Sequence, residues 1–147
     1  ASVVPAQKAG AIALAAGVNN GDWCPIVPES MQSQADENIY VLGDASVAKS
    51  MPKSGFSANS QAKVAANHIR GALTGSKVFD ARYSNTCWSL IAPNDDVKVG
   101  ASYVAGAEAI DVESKFISQA DDDSETRAAN YQESIDWYNG MTADMFS

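Results

Sequence analysis

The sequence predicts a mixed fold, α/β in its first half and α+β in its second half. A short apolar run at residues 39–42 precedes an alanine-rich segment with helical spacing that stops at Gly75, and a strand leading into a helix is the unit of α/β proteins. Runs of alternating apolar residues flank a turn at 93–96, which is typical of an antiparallel meander. We therefore expect the chain to end in a small antiparallel sheet followed by a C-terminal helix.

The first predicted helix spans Pro5 to Ala16, where apolar residues recur at helical spacing. Pro5 suits a first helical turn, and Gly17 suits a C-terminal stop. The loop that follows is dense in turn-forming residues and contains Trp23 and Cys24.

The second predicted helix follows a loop after the strand at 39–42 and ends at Gly75. Its predicted packing face is mostly alanine, so a neighbouring element should approach it closely. This face consists of Ala58, Ala62, Ala65, Ala66, Ile69 and Leu73.

Three strands are predicted after residue 82, at 87–92, 97–103 and 112–117. The acidic run 121–123 then precedes a last helix, where negative charge complements the helix N-terminus. The predicted packing stripe of this helix consists of Ala128, Tyr131, Ile135, Tyr138, Met141 and Met145.

Composition narrows the class of protein. A chain of 147 residues with 46% apolar and 19% charged residues is that of a soluble globular protein with a real core. A net charge of -8 argues against nucleic acid and suits either a cationic partner or simple solubility. No apolar run approaches the length of a membrane span. The sequence opens with ASVVP, without an initiator Met or a signal-peptide core, so we expect a piece of a longer chain.

The pattern around Gly43 and Asp44 carries the strongest signal for a site. A carboxylate at the end of a strand can accept hydrogen bonds from ligand hydroxyls, and Gly permits close backbone approach. The next helix N-terminus offers N–H groups to an electron-rich ligand atom, and such a crevice is a common ligand site. The alternative is that the dipeptide only turns the chain.

Four segments of the sequence resemble known flavoproteins. Residues 39–45 (IYVLGDA) resemble the second FAD-binding motif of flavoproteins with two dinucleotide-binding domains. Residues 51–66, together with 23–25 (WCP), 85–89 (NTCWS) and 137–139 (WYN), resemble the flavoprotein subunit of flavocytochrome c sulfide dehydrogenase. The resemblance covers the whole chain, in order.

This resemblance implies the C-terminal part of a disulfide-reductase-like flavoprotein with three portions. Residues 1–28 would end the second dinucleotide-binding-like domain, 29–78 would supply the last strand and helix of the FAD-binding domain, and 79–147 would form an α+β interface domain. The first glycine-rich motif, which holds the FAD pyrophosphate in the family, is not in this sequence. The resemblance therefore implies an N-terminal remainder that completes the FAD site.

The resemblance also implies the residues that contact FAD. In the superfamily the Asp binds the ribityl chain, and the helix N-terminus faces the flavin pyrimidine ring. The implied FAD-binding residues are Gly43, Asp44, Lys53, Ser54, Gly55, Ser57, Ala58 and Trp137. Lys53 would bring a positive charge to the pocket. Trp137 lies one position off the packing stripe and would shape the flavin pocket or the electron path.

Cys24 is the residue to which the resemblance assigns redox chemistry. It would form an active-site disulfide with a cysteine of the N-terminal remainder, and sulfide would attack that disulfide to give a persulfide and a thiolate. From the residues alone, Cys24 is either a partly accessible reactive thiol or a buried structural one. Cys87 is expected in the core. A Cys24–Cys87 disulfide is possible by counting, but the resemblance argues against it.

The resemblance implies a periplasmic enzyme that oxidises sulfide through FAD. Electrons would pass to a c-type cytochrome subunit, and that subunit would hold the haem c because this chain has no haem-attachment motif. One alternative is a sulfide:quinone reductase, which shares the fold but serves membrane quinone. Another is a non-catalytic interaction module with half of an FAD site. His68 has no partner in sequence for general-base or metal chemistry, so no metal is assigned.

Overall fold

The computed structural model describes residues 1–146; Ser147, the end of the third predicted portion, lies outside them. In chain order the elements are α1 Ala11–Ala15, a 3₁₀ turn Gly43–Ala45, α2 Gly55–Thr74, β1 Arg82–Ala92, β2 Asp95–Ala105, β3 Ile110–Ile117 and α3 Ser124–Phe146. Within residues 1–146, every helix is too short or too polar to cross a bilayer.

The predicted ending in an antiparallel sheet and a C-terminal helix is confirmed. The strands lie in the order β1-β2-β3, each antiparallel to the next. Asn94, with φ of 60°, makes the turn between the first two strands. The first strand begins at Arg82 and not at residue 87, because Tyr83 and Asn85 are already buried against the first half of the chain.

Helix α2 has the predicted extent, but a different face is buried. The Ser54 side chain accepts a hydrogen bond from the Ser57 backbone N–H, and Gly75 ends the helix in the left-handed region at φ 68°. Ile69 and Leu73, expected to pack, are exposed. The buried positions are Ser57, Gln61, Val64, Ala65 and Gly71. The first four each lie one position before a predicted residue, and Ala65 is itself one of the predicted residues.

Two predicted elements of the first half are shorter than expected. Helix α1 begins only after Gly10, which is extended, and the Ala9 N–H bonds to the Asp22 carbonyl instead of to a helix. The run 39–42 forms no ladder: Tyr40 makes an isolated bridge with Gln32. The strand prediction is therefore wrong for this chain, since residues 39–42 form one isolated bridge and belong to no sheet.

Helix α3 packs on one face of the sheet. The Lys98 ammonium forms a salt bridge of 2.5 Å with Glu133, and Arg127 pairs with Asp95. Asn130 is buried, yet Tyr138, expected in the packing stripe, is 59% exposed. Because α3 contacts polar groups of β2, the face of α3 that packs on the sheet is partly polar. The spacing of apolar residues alone therefore does not identify this face.

The main core lies in the loop-rich segment between α1 and α2. Cys24 and Met31 have no exposed surface, and Ile26 and Met51 are nearly as buried. The Tyr83 hydroxyl donates to the Pro28 carbonyl and ties the first strand to this core. The loops are thereby fixed beneath the N-terminus of α2, where the candidate site lies.

Candidate functional site

The turn at Gly43 brings the chain against α2. Gly43 has φ of 63°, and a Cβ built on it would lie 3.3 Å from the Ala58 Cβ. Both conditions disfavour any larger residue. The Gly43 N–H donates to Gln61 Oε1 at 2.7 Å, and the Ser46 hydroxyl donates to the Gly43 carbonyl at 2.8 Å.

Asp44 follows in this turn with its side chain exposed. In the described part of the chain its carboxylate has no hydrogen-bond or salt-bridge partner, whereas its backbone carbonyl accepts from Lys53 Nζ. Lys53 Nζ also donates to the Ser46 carbonyl at 3.1 Å and lies 3.8 Å from the Trp23 ring centroid. The turn therefore holds Lys53 and leaves the Asp44 carboxylate available to a ligand.

The first turn of α2 is tied to the sheet by Asn85. The hydroxyls of Ser54 and Ser57 donate to Asn85 Oδ1 at 2.5 and 3.1 Å. Ser57 and Asn85 are 1% and 3% exposed, so the Ser57 hydroxyl points into the protein. Gly55 at the helix start is exposed. The first N–H groups of a helix have no intrahelical acceptor, which leaves this end able to bind an electron-rich group.

A cavity of about 200 Å³ lies between the turn and the helix N-terminus. It brings together four of the predicted residues: Gly43, Lys53, Ser54 and Ser57. Ala58 adjoins it through its contact with Gly43.

Cys24 lies beneath this turn, fully buried. Its N–H donates to the Ala45 carbonyl and its carbonyl accepts from the Val47 N–H, both at 2.9 Å. The expectation of a partly accessible thiol is therefore wrong. The backbone N–H and carbonyl of Cys24 are both hydrogen-bonded to the segment 45–47, and the side chain lies in the core. Burial raises the pKa of the Cys24 thiol, and the nearby positive charge of Lys53 partly offsets the rise.

Cys87 shows the opposite outcome: it is exposed. Core packing was expected from its apolar neighbours, but the buried positions of β1 are Tyr83 and Asn85, and the strand is exposed at Cys87. Its sulfur accepts from Asn85 Nδ2 at 3.4 Å. Both thiols are free, so the Cys24–Cys87 disulfide that counting allowed does not form here.

Trp137 lies at the same end of α2. Its ring stacks on Phe56 with centroids 5.0 Å apart and an interplanar angle of 12°. Trp88 is 5.9 Å from each of the other two rings. These three residues, here called the aromatic cluster, connect α3 and β1 to the first turn of α2. A separate groove of about 620 Å³ runs over the cluster and is bordered by Lys98 and Glu133.

His68 is outside this region, and its Nδ1 lies 2.9 Å from the Tyr40 hydroxyl. Across residues 1–146 the structure groups no three His, Cys, Asp or Glu side chains suited to a metal.

Two residues of the site were missed by the sequence analysis, the buried amides Gln61 and Asn85. Gln61 is four residues after Ser57 and so on the same helix face. The polar pair Ser57 and Gln61 on one face of an alanine-rich helix was the pattern that could have predicted this site residue. The partner of Asn85 is 31 residues away, and no local pattern indicates it.

A comparison with known protein families defines the class of the C-terminal part. Residues 79–146, which contain the sheet and α3, match a flavin-binding family model. The model is described as flavocytochrome c sulphide dehydrogenase, flavin-binding. The sheet and α3 are therefore similar to the flavin-binding domain of that family, whose name implies a flavin-dependent oxidoreductase, in agreement with the resemblance. The match begins after Asp44 and α2, so those parts of the site rest on their own geometry.

The residues of the site fit a flavin cofactor. The exposed Asp44 carboxylate suits hydroxyl groups, and the N-terminus of α2 suits an electron-rich ring edge. The aromatic cluster begins at the same helix turn and offers ring faces to a flat ligand. Lys53 adds a positive charge to the cavity.

Proposed function

We propose that this chain is part of a flavin-dependent sulfide dehydrogenase that passes electrons to a c-type cytochrome subunit in the periplasm. One observation carries the proposal. Gly43 and the N-terminus of α2 line one cavity, and the exposed Asp44 follows Gly43 just outside this lining. Asn85 joins this helix end to the domain that matches the flavin-binding family.

Each part of the site has a role in holding FAD. Asp44 binds the ribityl hydroxyls, and the first turn of α2 faces the pyrimidine end of the ring. Trp137 and Phe56 line the separate groove on the side of α3 and shape that side of the pocket that the N-terminal remainder completes. Bound FAD supplies the capacity to accept two electrons and to release them one at a time. The pyrophosphate is held by the N-terminal remainder of the same flavoprotein.

Cys24 carries the reaction with sulfide in this proposal. It forms a disulfide with a cysteine of the N-terminal remainder. Attack by sulfide on one sulfur breaks the S–S bond, forms a persulfide on that cysteine and leaves the electron pair on the other as a thiolate. Lys53 favours the thiolate of Cys24, in line with its lowering effect on the Cys24 pKa.

The surface of α3 supports a protein acceptor over membrane quinone. Its exposed acidic groups include Glu125 and Asp136, whereas Glu133 and Asp144 pair with Lys98 and Lys63. Acidic side chains suit a protein partner in water, whereas a quinone reductase needs an apolar or amphipathic surface for the membrane. The partner subunit holds haem c.

The test uses the complete flavoprotein with its cytochrome subunit. Asp44→Ala should lower the FAD content, measured by flavin absorption. Asp121→Ala, which removes an exposed carboxylate outside the site, should leave the FAD content unchanged. Cys24→Ser should keep FAD but abolish its bleaching by sulfide and the reduction of haem. Full FAD content in Asp44→Ala, or normal bleaching in Cys24→Ser, would contradict the proposal.

A further inference from the structure

Gln61 is a polar side chain in the buried face of α2, with 1% of its surface exposed. Its Oε1 accepts from the Gly43 N–H at 2.7 Å, and its Nε2 donates to Met51 Sδ at 3.8 Å. Both ends of the amide are thus used. A buried amide with two fixed partners is held in one orientation and can set the position of its neighbours.

The hydrogen bond to Gly43 joins two parts of the site. Asp44 is the next residue in the turn, and Gln61 belongs to the helix whose N-terminus faces the cavity. The other hydrogen bonds of the turn involve loop residues, namely Ser46, Lys53 and Cys24. In residues 1–146 the structure records one hydrogen bond from the body of α2 to this turn, and Gln61 makes it.

We infer that Gln61 is a positioning residue for the flavin, which holds the Asp44 carboxylate at a fixed distance from the N-terminus of α2. This inference rests on the proposed function. A ligand that contacts both groups binds best when their spacing is set before it arrives, because less ordering accompanies binding. An apolar side chain at position 61 would leave the partly buried Gly43 N–H without an acceptor.

Two substitutions separate the hydrogen bond from packing. Gln61→Met keeps the length of the side chain and removes the acceptor. Gln61→Glu keeps a carbonyl acceptor, because burial favours the neutral carboxylic acid. Gln132→Met, on the exposed side of α3, is the matched control. Each variant is prepared in the complete flavoprotein and compared with the wild type by FAD titration and by amide exchange of Gly43.

Gln61→Met should weaken FAD binding about tenfold, equivalent to about 1.4 kcal/mol, and speed the exchange of the Gly43 N–H. Gln61→Glu should restore both within about threefold, and Gln132→Met should change neither. In the wild type, the Gly43 N–H should be protected with and without FAD. Rapid Gly43 exchange in the FAD-free wild type overturns the inference even if Gln61→Met does not fold.

The outcomes distinguish this inference from the proposed function. If the wild-type flavoprotein binds no FAD, the proposed function fails and the inference fails with it. If the wild type binds FAD and folded Gln61→Met binds it equally well, only the inference fails.

Discussion

At the scale of single residues, the two cysteines lie in opposite environments. Cys24 has no exposed surface, whereas Cys87 is exposed. In the folded chain, iodoacetamide should therefore modify Cys87 first and Cys24 at least about tenfold more slowly, as accessibility controls thiol reactivity. Mass spectrometry of digested samples taken over time measures both rates. In urea the two rates should converge, and equal rates in the folded chain would contradict the buried position of Cys24.

The charge of Lys53 provides a second prediction for Cys24. Burial raises the pKa of the thiol and Lys53 lowers it, so Lys53→Met should raise the pKa further. The titration of the Cys24 Cβ carbon-13 shift measures this in a Cys87→Ser background. Its midpoint should move to higher pH. Lys49→Met removes an exposed lysine of the same loop and should leave the midpoint in place; equal shifts in both variants would rule out a specific effect of Lys53.

At the scale of elements, the aromatic cluster holds α3 against α2. Trp137 is half-buried and stacked on Phe56, while its neighbour Tyr138 is 59% exposed. Trp137→Ala should lower the free energy of unfolding by about 2 kcal/mol, less than for a fully buried aromatic side chain. Tyr138→Ala should cost under about 0.5 kcal/mol. Urea unfolding followed by circular dichroism compares them, and equal losses would mean that the cluster contributes no specific stability.

The elements also show what the sequence could predict. The ends of α2 follow from local chemistry, since Ser54 caps its start and Gly75 adopts the left-handed conformation at its end. The buried face does not follow, because Ser57 and Gln61 are drawn inward by Asn85 and Gly43. Hydrogen-bond partners that are distant in sequence determine which face of α2 is buried, and the spacing of apolar residues carries no information about such partners.

The same distinction applies to the candidate site. Lys53, Ser54 and Ser57 were predicted and do line one cavity with Gly43, because a glycine turn and a helix start each have a recognisable sequence. The burial of Cys24 was not predicted. It depends on backbone pairing with residues 45–47, which the turn-rich composition of its loop does not reveal.

At the scale of the whole molecule, the loop core and the C-terminal sheet share one hydrophobic cluster and are also joined by polar contacts. The loop core around Met31 and the C-terminal sheet meet where the Tyr83 hydroxyl reaches Pro28 and where Asn85 reaches Ser54. The contact between Asn85 and Ser54 places the family-matched domain against the N-terminus of α2. A change at this junction should therefore affect the stability of the whole chain and not only one element.

The pH dependence of stability tests this junction through Tyr83. Burial, with a smaller effect of Glu29, raises the pKa of Tyr83 well above its usual value near 10. The folded state thus favours the neutral phenol, so the stability it contributes is complete below about pH 10 and is lost as pH rises above that value. Urea unfolding at a series of alkaline pH values should show a fall of up to about 1.4 kcal/mol per pH unit from this group.

Tyr83→Phe separates Tyr83 from the other groups that titrate in the same range. Tyr103, whose pKa burial also raises, loses its proton in both proteins. At pH 8 the variant should be about 1 kcal/mol less stable, because the Pro28 carbonyl loses its donor. Above pH 10 its stability should fall less steeply than that of the wild type, so the two curves converge. Parallel curves would show that Tyr83 is as accessible folded as unfolded, and that the junction between the loop core and the sheet is open to water.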